Sequence, residues 1–538
     1  MPTKDRRVRL SYARRLGVLL RTVLVEKEAM YRKGESVSTF APDVFELGED
    51  ELRHVGDDSL GRALDRLFDA DRGSLLTDIM MAAIDEFDID VSELHNDSTS
   101  IKFYGRHKDA GAGLIRGKRA AAITYGYSKD HRPDLKQLIF ILTTTEDGGV
   151  PVQFRCEAGN TNDVRTHEWT WDTLCKVTGR KDFLYVADSK LCNFTAMEHI
   201  DKNGGRLVTV MPRSRAEDKR FRELVQTEEV PWTLVRDGEN ARDPDGPRDR
   251  WWLWRQDTPS SEAWPIVWVF SEVSKLHRGK TRDSRIIRAK QELADLDGKQ
   301  AGPRPRRRSW RKVRESVDEI LERNKVRRYV KVDVVKHEEH RYKQAGKGRP
   351  GPATRYVRST KVRWRLKWSV DEAMVDYDRN SDGMYPLLTN DNTLTELEVF
   401  EAHKRQPVIE KRFSQTKSVL EIAPVYLKNG GRVEAFFFIY FLALLVQALV
   451  ERELRRAMKR EQLTSLPLYP EGRGTKRPTA EQILRLFART ERHHLRLKGQ
   501  KLRTFVPELT RLQLQILNLM KIPAAAYTHI PKGDASSR

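Results

Sequence analysis

The sequence predicts an α/β chain: a mixed-sheet domain interrupted by a β-rich insertion and bracketed by helical N- and C-terminal regions. Three observations carry that prediction. Short β-branched apolar runs alternate with helical patterns between about residues 91 and 212, nine of the eleven tryptophans fall between 213 and 385, and helical spacing of apolar residues dominates both ends.

Residues 1–90 read as helical, with Leu60, Ala63, Leu64, Leu67 and Phe68 on one stripe. The pattern then changes. VSELHNDSTSI (91–101) alternates and ends in a polar cluster, so its acid, Asp97, is expected just past a strand end. QLIFILTTT (137–145), the turn EDGG (146–149) and VPVQFRCEAG read as a hairpin. A helix over 165–176, a buried strand FLYVADS (183–189), a helix over 194–202 and a strand RLVTVMP (206–212) complete the first part of the sheet domain, 91–212.

The insertion, 213–385, holds strand-like runs RWWLWRQ and AWPIVWVF, separated from further β material by a charged helical stretch at about 272–328. Trp251, Trp252 and Trp254 fit packing of this β module; stacking on an unpaired base is the rival role. YPLLTN (385–390) then reads as a last strand, and the second part of the sheet domain, 386–460, continues as a helix interrupted near Pro407. The run 435–450, sixteen residues with one Gln, is shorter than the roughly 20 a membrane span needs, and its charged continuation makes it a buried core helix. The basic C-terminal region, 461–538, is expected to be helical, with a capping box at Thr479 and Gln482 and a surface His493-His494 pair.

With 538 residues and 38% hydrophobic content the chain is long enough for several packed units. Ninety-nine Lys and Arg against 78 Asp and Glu give a formal charge of +21, which calls for a polyanionic partner. Of that excess, 16 charges sit in residues 301–370, where 23 Lys and Arg face 7 acids. Such a surplus exceeds what pairing along a helix neutralises and points to DNA phosphates; a solvated face is the plain alternative. Three cysteines without a C-x-x-C pair support neither a disulfide framework nor a thiolate zinc site, and with no signal peptide read in the N-terminal stretch the expected location is a reducing cytoplasm.

Among the acids, Asp97 in NDSTS and Asp188 in FLYVADS stand at expected strand ends, where α/β sheets present ligand crevices. Glu410 in VIEKRFSQTK offers a third carboxylate on a packed helix. Three carboxylates without a soft ligand suit Mg²⁺ or Mn²⁺. The structural alternatives are a turn held by Asp97 with Ser98 and Thr99, and a helix cap by Asp188.

NDSTS, YGYSKDHRPDLKQ (125–137), GNTND (159–163), FLYVADS and IEKRFSQTK ahead of a long apolar helix stand in the order seen in bacterial insertion-sequence DDE transposases, and the chain resembles the branch with a β-rich insertion between the second Asp and the Glu. The resemblance covers about 90–455. It implies a ribonuclease-H-like catalytic domain in which Asp97, Asp188 and Glu410 bind two Mg²⁺ or Mn²⁺ ions, with hydrolysis at an element end followed by strand transfer from the exposed 3′-OH. It also implies double-stranded DNA partners, both terminal inverted repeats and target, held by a homodimer or larger assembly. The family places Tyr and Arg seven and four residues before the Glu and Lys seven after it. Lys417 matches, whereas His403 and Gln406 fill the other two positions, with Arg405 one place away, about 100° around a helix. Lys129, His131 and Arg132 fit either phosphate contact or loop support, and Asn160 and Asp163 either line the site or belong to a polar loop. Two rivals share these residues: a Mg²⁺-dependent nuclease without strand transfer, and a non-catalytic DNA-binding protein derived from a transposase.

Overall fold

The computed structural model describes residues 10–26, 28, 30–104, 113–127, 132–161, 166–240, 243–302, 309–419, 427, 429–498 and 500–529. The chain divides into two units, one of Met1–Val210, Thr389–Asp391 and Glu401–Arg538, the other of Met211–Leu388 and Asn392–Phe400.

The first unit begins with helices α1 (Tyr12–Val25), α2 (Lys33–Val37), α3 (Glu49–Leu52), α4 (Asp57–Asp69) and α5 (Arg72–Phe87). Side-chain oxygens of Ser11 and Asp71 cap α1 and α5, and α4 buries the stripe Leu60, Ala63, Leu64, Leu67 and Phe68. Then follow β1 (Glu93–Phe103), the short pair β2 (Gly113–Ile115) and β3 (Lys118–Ala120), β4 (Lys136–Thr145), β5 (Pro151–Ala158), α6 (His167–Thr178), β6 (Leu184–Ala187), α7 (Phe194–Lys202) and β7 (Arg206–Val210). The five long strands run in the order β5-β4-β1-β6-β7. β1 and β4, and β4 and β5, are antiparallel, while β1, β6 and β7 are parallel, so the mixed sheet read from the sequence is present. One expectation is corrected. β1 runs on to Phe103, which puts Asp97 inside the strand rather than past its end, because Ser98–Phe103 keep pairing with β4.

The second unit contains α8 (Ala216–Leu224), β8 (Thr233–Gly238), β9 (Asp249–Arg255), β10 (Ile266–Ser271), α9 (Glu272–Ala301), α10 (Trp310–Arg323), β11 (Val330–Gln344), β12 (Tyr356–Val370), α11 (Glu372–Asn380) and β13 (Met384–Thr389). Strands β13-β10-β9-β8 are antiparallel. Thus the strand at 385–390 pairs with β10. The tryptophans pack this unit: Trp268 stacks on Phe221 at 3.4 Å between centroids, Trp252 on Phe270 at 5.0 Å, Trp254 on Phe221 at 5.9 Å, and Trp251 tilts against Phe400. Packing therefore accounts for Trp251, Trp252 and Trp254.

The chain returns to the first unit within α12 (Glu396–Arg405), then forms α13 (Pro407–Ser414), with proline at its first turn, and α14 (Gly430–Arg460). α14 is long and apolar enough to cross a membrane, yet 72% of its most apolar window is buried in protein. It is a core helix: Phe437 packs on Phe140, and Phe441 stacks on Phe154 at 4.8 Å. The end of the unit is α15 (Ala480–Phe487), β14 (His493–Leu497), β15 (Gln500–Phe505), α16 (Arg511–Leu519) and α17 (Ala525–Thr528). Thr479 and Gln482 form the expected capping box. The His493-His494 segment is a strand of a hairpin rather than a helix; its cross-strand pairs, such as His494 with Thr504, stabilise extended chain that no helical stripe would bury.

Candidate active site

The parallel register of β1 and β6 brings two predicted acids together. Asn96 stands opposite Ala187, the last residue of β6. One step on, Asp97 within β1 and Asp188 just past the end of β6 stand at the same level on neighbouring strands spaced about 4.8 Å apart. Both are half-buried. Asp97 Oδ1 accepts the backbone N–H of Ser98 at 2.6 Å, and Asp188 Oδ1 accepts that of Lys190 at 3.0 Å. The hydroxyl of Thr209 donates to the Asp188 carbonyl at 2.7 Å, fixing the chain as it leaves the sheet. Asp188 is not the helix cap, since the Asn193 side chain takes that position for α7.

Glu93, His95 and Asp97 alternate onto one face of β1. Arg405, at the end of α12, forks onto Glu93 at 2.7 and 2.6 Å, and α13 packs on β1 and β4. Buried His95 bonds the same carboxylate at 2.9 Å through Nε2. Burial alone would raise the Glu93 carboxyl, but His95 and Arg405 overcome it and hold it at about 2. His403, two residues back on the helix, is pushed down to about 4, mainly by burial and secondarily by Lys404 and His95. So His403, which departs from the resembled pattern, lies beside an internal ion-pair network of Glu93, His95 and Arg405.

Glu410 is carried on α13 and is exposed, while Ile409, Arg412 and Phe413 are buried. Among the described residues no three His, Cys, Asp or Glu side chains are gathered as a metal site. The strand register therefore sets the Asp97 and Asp188 positions side by side, and Glu410 is not gathered with them into a three-ligand group among the described residues. Two carboxylates are still a suitable donor set for Mg²⁺, which commonly takes one or two from protein and fills its sphere with water and substrate phosphate oxygens. Lys417 is half-buried in the π-helical turn Gln415–Val419 that continues α13. Arg132 pairs with Asp134 at 2.8 and 2.7 Å on the surface, Asn160 is exposed, and Lys129, His131 and Asp163 lie outside the described residues.

A residue that the sequence reading missed sets the position of α13. Arg412, 1% exposed, donates to the carbonyls of Gly149 at 2.8 Å and Gly148 at 2.7 Å, to Gln415 at 2.7 Å and to Glu451 of α14 at 3.1 Å. Glu451 is itself fully enclosed and also accepts from Gln415, Arg455 and the Ala480 backbone. Burial works against its charge, yet Arg412 and Lys411 keep its carboxyl below the ordinary range. Gly149 has φ +62°, and a Cβ there would stand 2.3 Å from Val408, so the glycine turn is what lets α13 dock. A signal was present: 409, 412, 413 and 416 form a helical stripe, and Arg412 is the cation on it.

No protein-family model matches the chain, and no curated protein matches it. Among solved structures it is similar to a piggyBac transposase in a cryo-EM synaptic complex with hairpin DNA, at 10% identity over 97% of this chain and 77% of that chain, with a TM-score of 0.37.

Proposed function

We propose that this chain is a DNA transposase that cuts and joins DNA at the ends of a mobile element, with its first unit a ribonuclease-H-like catalytic domain. The carrying observation is the register that sets Asp97 beside Asp188 on neighbouring parallel strands. Support also comes from the strand order, three antiparallel strands followed by two parallel ones, and from the helix bearing Glu410 packing on the strand that bears Asp97.

Asp97 and Asp188 would hold divalent cations, and Glu410 would add a carboxylate from α13. A bound Mg²⁺ pair supplies an activated water and stabilises the entering and leaving oxygens of phosphodiester exchange. The chain itself orients the carboxylates through the Ser98 and Lys190 backbone amides, and fixes α13 through Arg412. Lys417 would neutralise a nearby phosphate, and the basic segment 301–370 would grip duplex DNA. A homodimer or larger assembly would pair two element ends.

The test uses labelled duplex DNA carrying the inverted repeats that bracket the reading frame, with a target plasmid and Mg²⁺. The parent should nick the ends and yield joined products. Asp97→Asn and Asp188→Asn should each lower cleavage by about 100-fold or more while leaving gel-shift affinity unchanged. Asp188→Asn cutting as fast as the parent would remove the assignment. A second reading, a DNA-binding protein without catalysis, is favoured by the absence of a gathered three-ligand group among the described residues. Retention of DNA with no metal-dependent cutting would select it.

A further inference from the structure

The hairpin β11–β12 is far longer than its support. Fifteen residues per strand extend about 50 Å. Only its base is packed: Val330, Val332 and Leu366 are buried with residues of α9 and α10, and Trp364 and Trp368 lean on the same cluster. Beyond that, most residues from Lys336 to Gln344 and from Tyr356 to Val362 are exposed, on both sides of the ribbon. A bare two-stranded ribbon is marginal in water, so an exposed length of about 30 Å fits a surface that is completed by a partner.

Charge identifies the partner's class. Residues 341–361 contain seven Lys and Arg and no acid. Near the base, cations are paired: Lys336 meets Glu338 at 2.5 Å, and Arg341 and Arg363 meet Glu339 at 2.9 and 3.3 Å. Toward the tip, no ion pair with a carboxylate among the described residues involves Lys343, Lys347, Arg349 or Arg355, while Arg358 reaches His340 at 3.4 Å and lies in the field of Glu338. The ribbon's register sets Tyr342 opposite Arg358 and Gln344 opposite Tyr356 on one face, with both tyrosines more than half exposed. Arg and Gln are the side chains that bond the edges of guanine and adenine, and a two-stranded ribbon fits the roughly 12 Å major groove of B-form DNA. The deep, narrow major groove of A-form RNA excludes it.

We propose that the distal half of β11–β12 enters the major groove of duplex DNA, with Lys343, Lys347, Arg349 and Arg355 on phosphates and the Tyr342–Arg358 face toward base edges. This rests on the DNA-handling reading for the class of polyanion, and is independent of the carboxylates.

The experiment measures binding of the full chain to a labelled 30-bp DNA duplex across a KCl series, for the parent and for a variant combining Lys343→Gln, Lys347→Gln, Arg349→Gln, Arg355→Gln and Arg358→Gln. The salt slope of log K should shrink by about 4, near 0.9 per lost phosphate contact, with affinity at 0.15 M salt at least about 100-fold weaker. These side chains are exposed, so the melting temperature should stay within about 2 °C. Protection of guanine N7, a major-groove atom, from dimethyl sulfate should be seen with the parent and lost with the variant. Duplex RNA of the same sequence should bind at least about 10-fold more weakly. An unchanged salt slope, or protection confined to minor-groove adenine N3, overturns the hairpin's role and leaves the DNA-handling reading standing. Equal binding of duplex RNA overturns groove entry. A parent that binds no duplex overturns both.

Discussion

Strand β1 of the first unit and the ribbon β11–β12 of the second are both extended, polar and rich in ionisable residues, yet they use charge in opposite ways. On β1, Glu93 is locked by Arg405 and by buried His95, and the neighbouring helix is fixed by the enclosed Arg412–Glu451 pair. On the distal ribbon, Lys343, Lys347, Arg349 and Arg355 are exposed with no ion pair to a carboxylate among the described residues. Buried charges need partners because their desolvation is costly, so they specify geometry. Exposed unpaired cations cost little and remain available to an external polyanion. On the proposed reading, the first unit positions its side chains by internal pairing, and the second offers a surface whose binding should depend on salt.

The largest test of that contrast is Arg412→Met. It leaves Glu451 buried without its main countercharge, and removing one partner of a buried pair typically costs roughly 3–5 kcal/mol. Urea unfolding should show a loss of that order in the transition of the first unit. Adding Glu451→Met should recover much of it, because an apolar pair needs no hydrogen bonds. A single variant as stable as the parent would mean that the pair does not fix α13.

How much of this was legible follows from the range over which each interaction acts. Local periodicity displayed α4, α7, β4 and β9, because their apolar stripes answer to neighbours a few residues away. The two strands that carry Asp97 and Asp188 were anticipated in kind, one from its alternation and the other from its apolar run, although the strand around Asp97 proved to continue past it. Arg405–Glu93 spans 312 residues and Arg412–Glu451 spans 39, and no local pattern marks such partners. The same limit explains 493–505. Its alternation is short, its side chains are basic, and only cross-strand pairing decides between strand and helix there.

A middle-sized effect concerns pH. Glu93 sits at about 2 in the folded chain against an ordinary 4.5, so the unfolded chain takes up its proton first. Its contribution is complete above 4.5 and is lost as pH falls toward 2. His403, at about 4 against 6.5, is likewise protonated first in the unfolded chain, and stability falls as pH drops from 6.5 to about 4. The two windows together make acid lability a property of the α12–β1 contact, worth roughly 1–2 kcal/mol per window once solvent screening is allowed for. Urea midpoints measured from pH 7 to 2.5 should lose the upper slope in His403→Gln and the lower slope in Glu93→Gln. If Glu93→Gln follows the parent throughout, the ion-pair network is not what the acid attacks.

The smallest expected change in stability, and the sharpest contrast, comes from Lys343→Gln compared with Lys336→Gln. Both lysines are exposed on the same strand. Lys336 already has Glu338 at 2.5 Å, whereas Lys343 lies in the acid-free stretch. Neither substitution should move unfolding by more than about 0.5 kcal/mol, as surface positions rarely do. On DNA they should separate. Losing Lys343 removes a phosphate contact and lowers the salt slope by about 1, while losing Lys336 frees Glu338 and removes a cation that was already neutralised, so the slope should change by less than half as much. Equal slopes for the two variants would show that the net charge of the whole segment drives binding, and that the division between paired base and unpaired tip has no functional meaning.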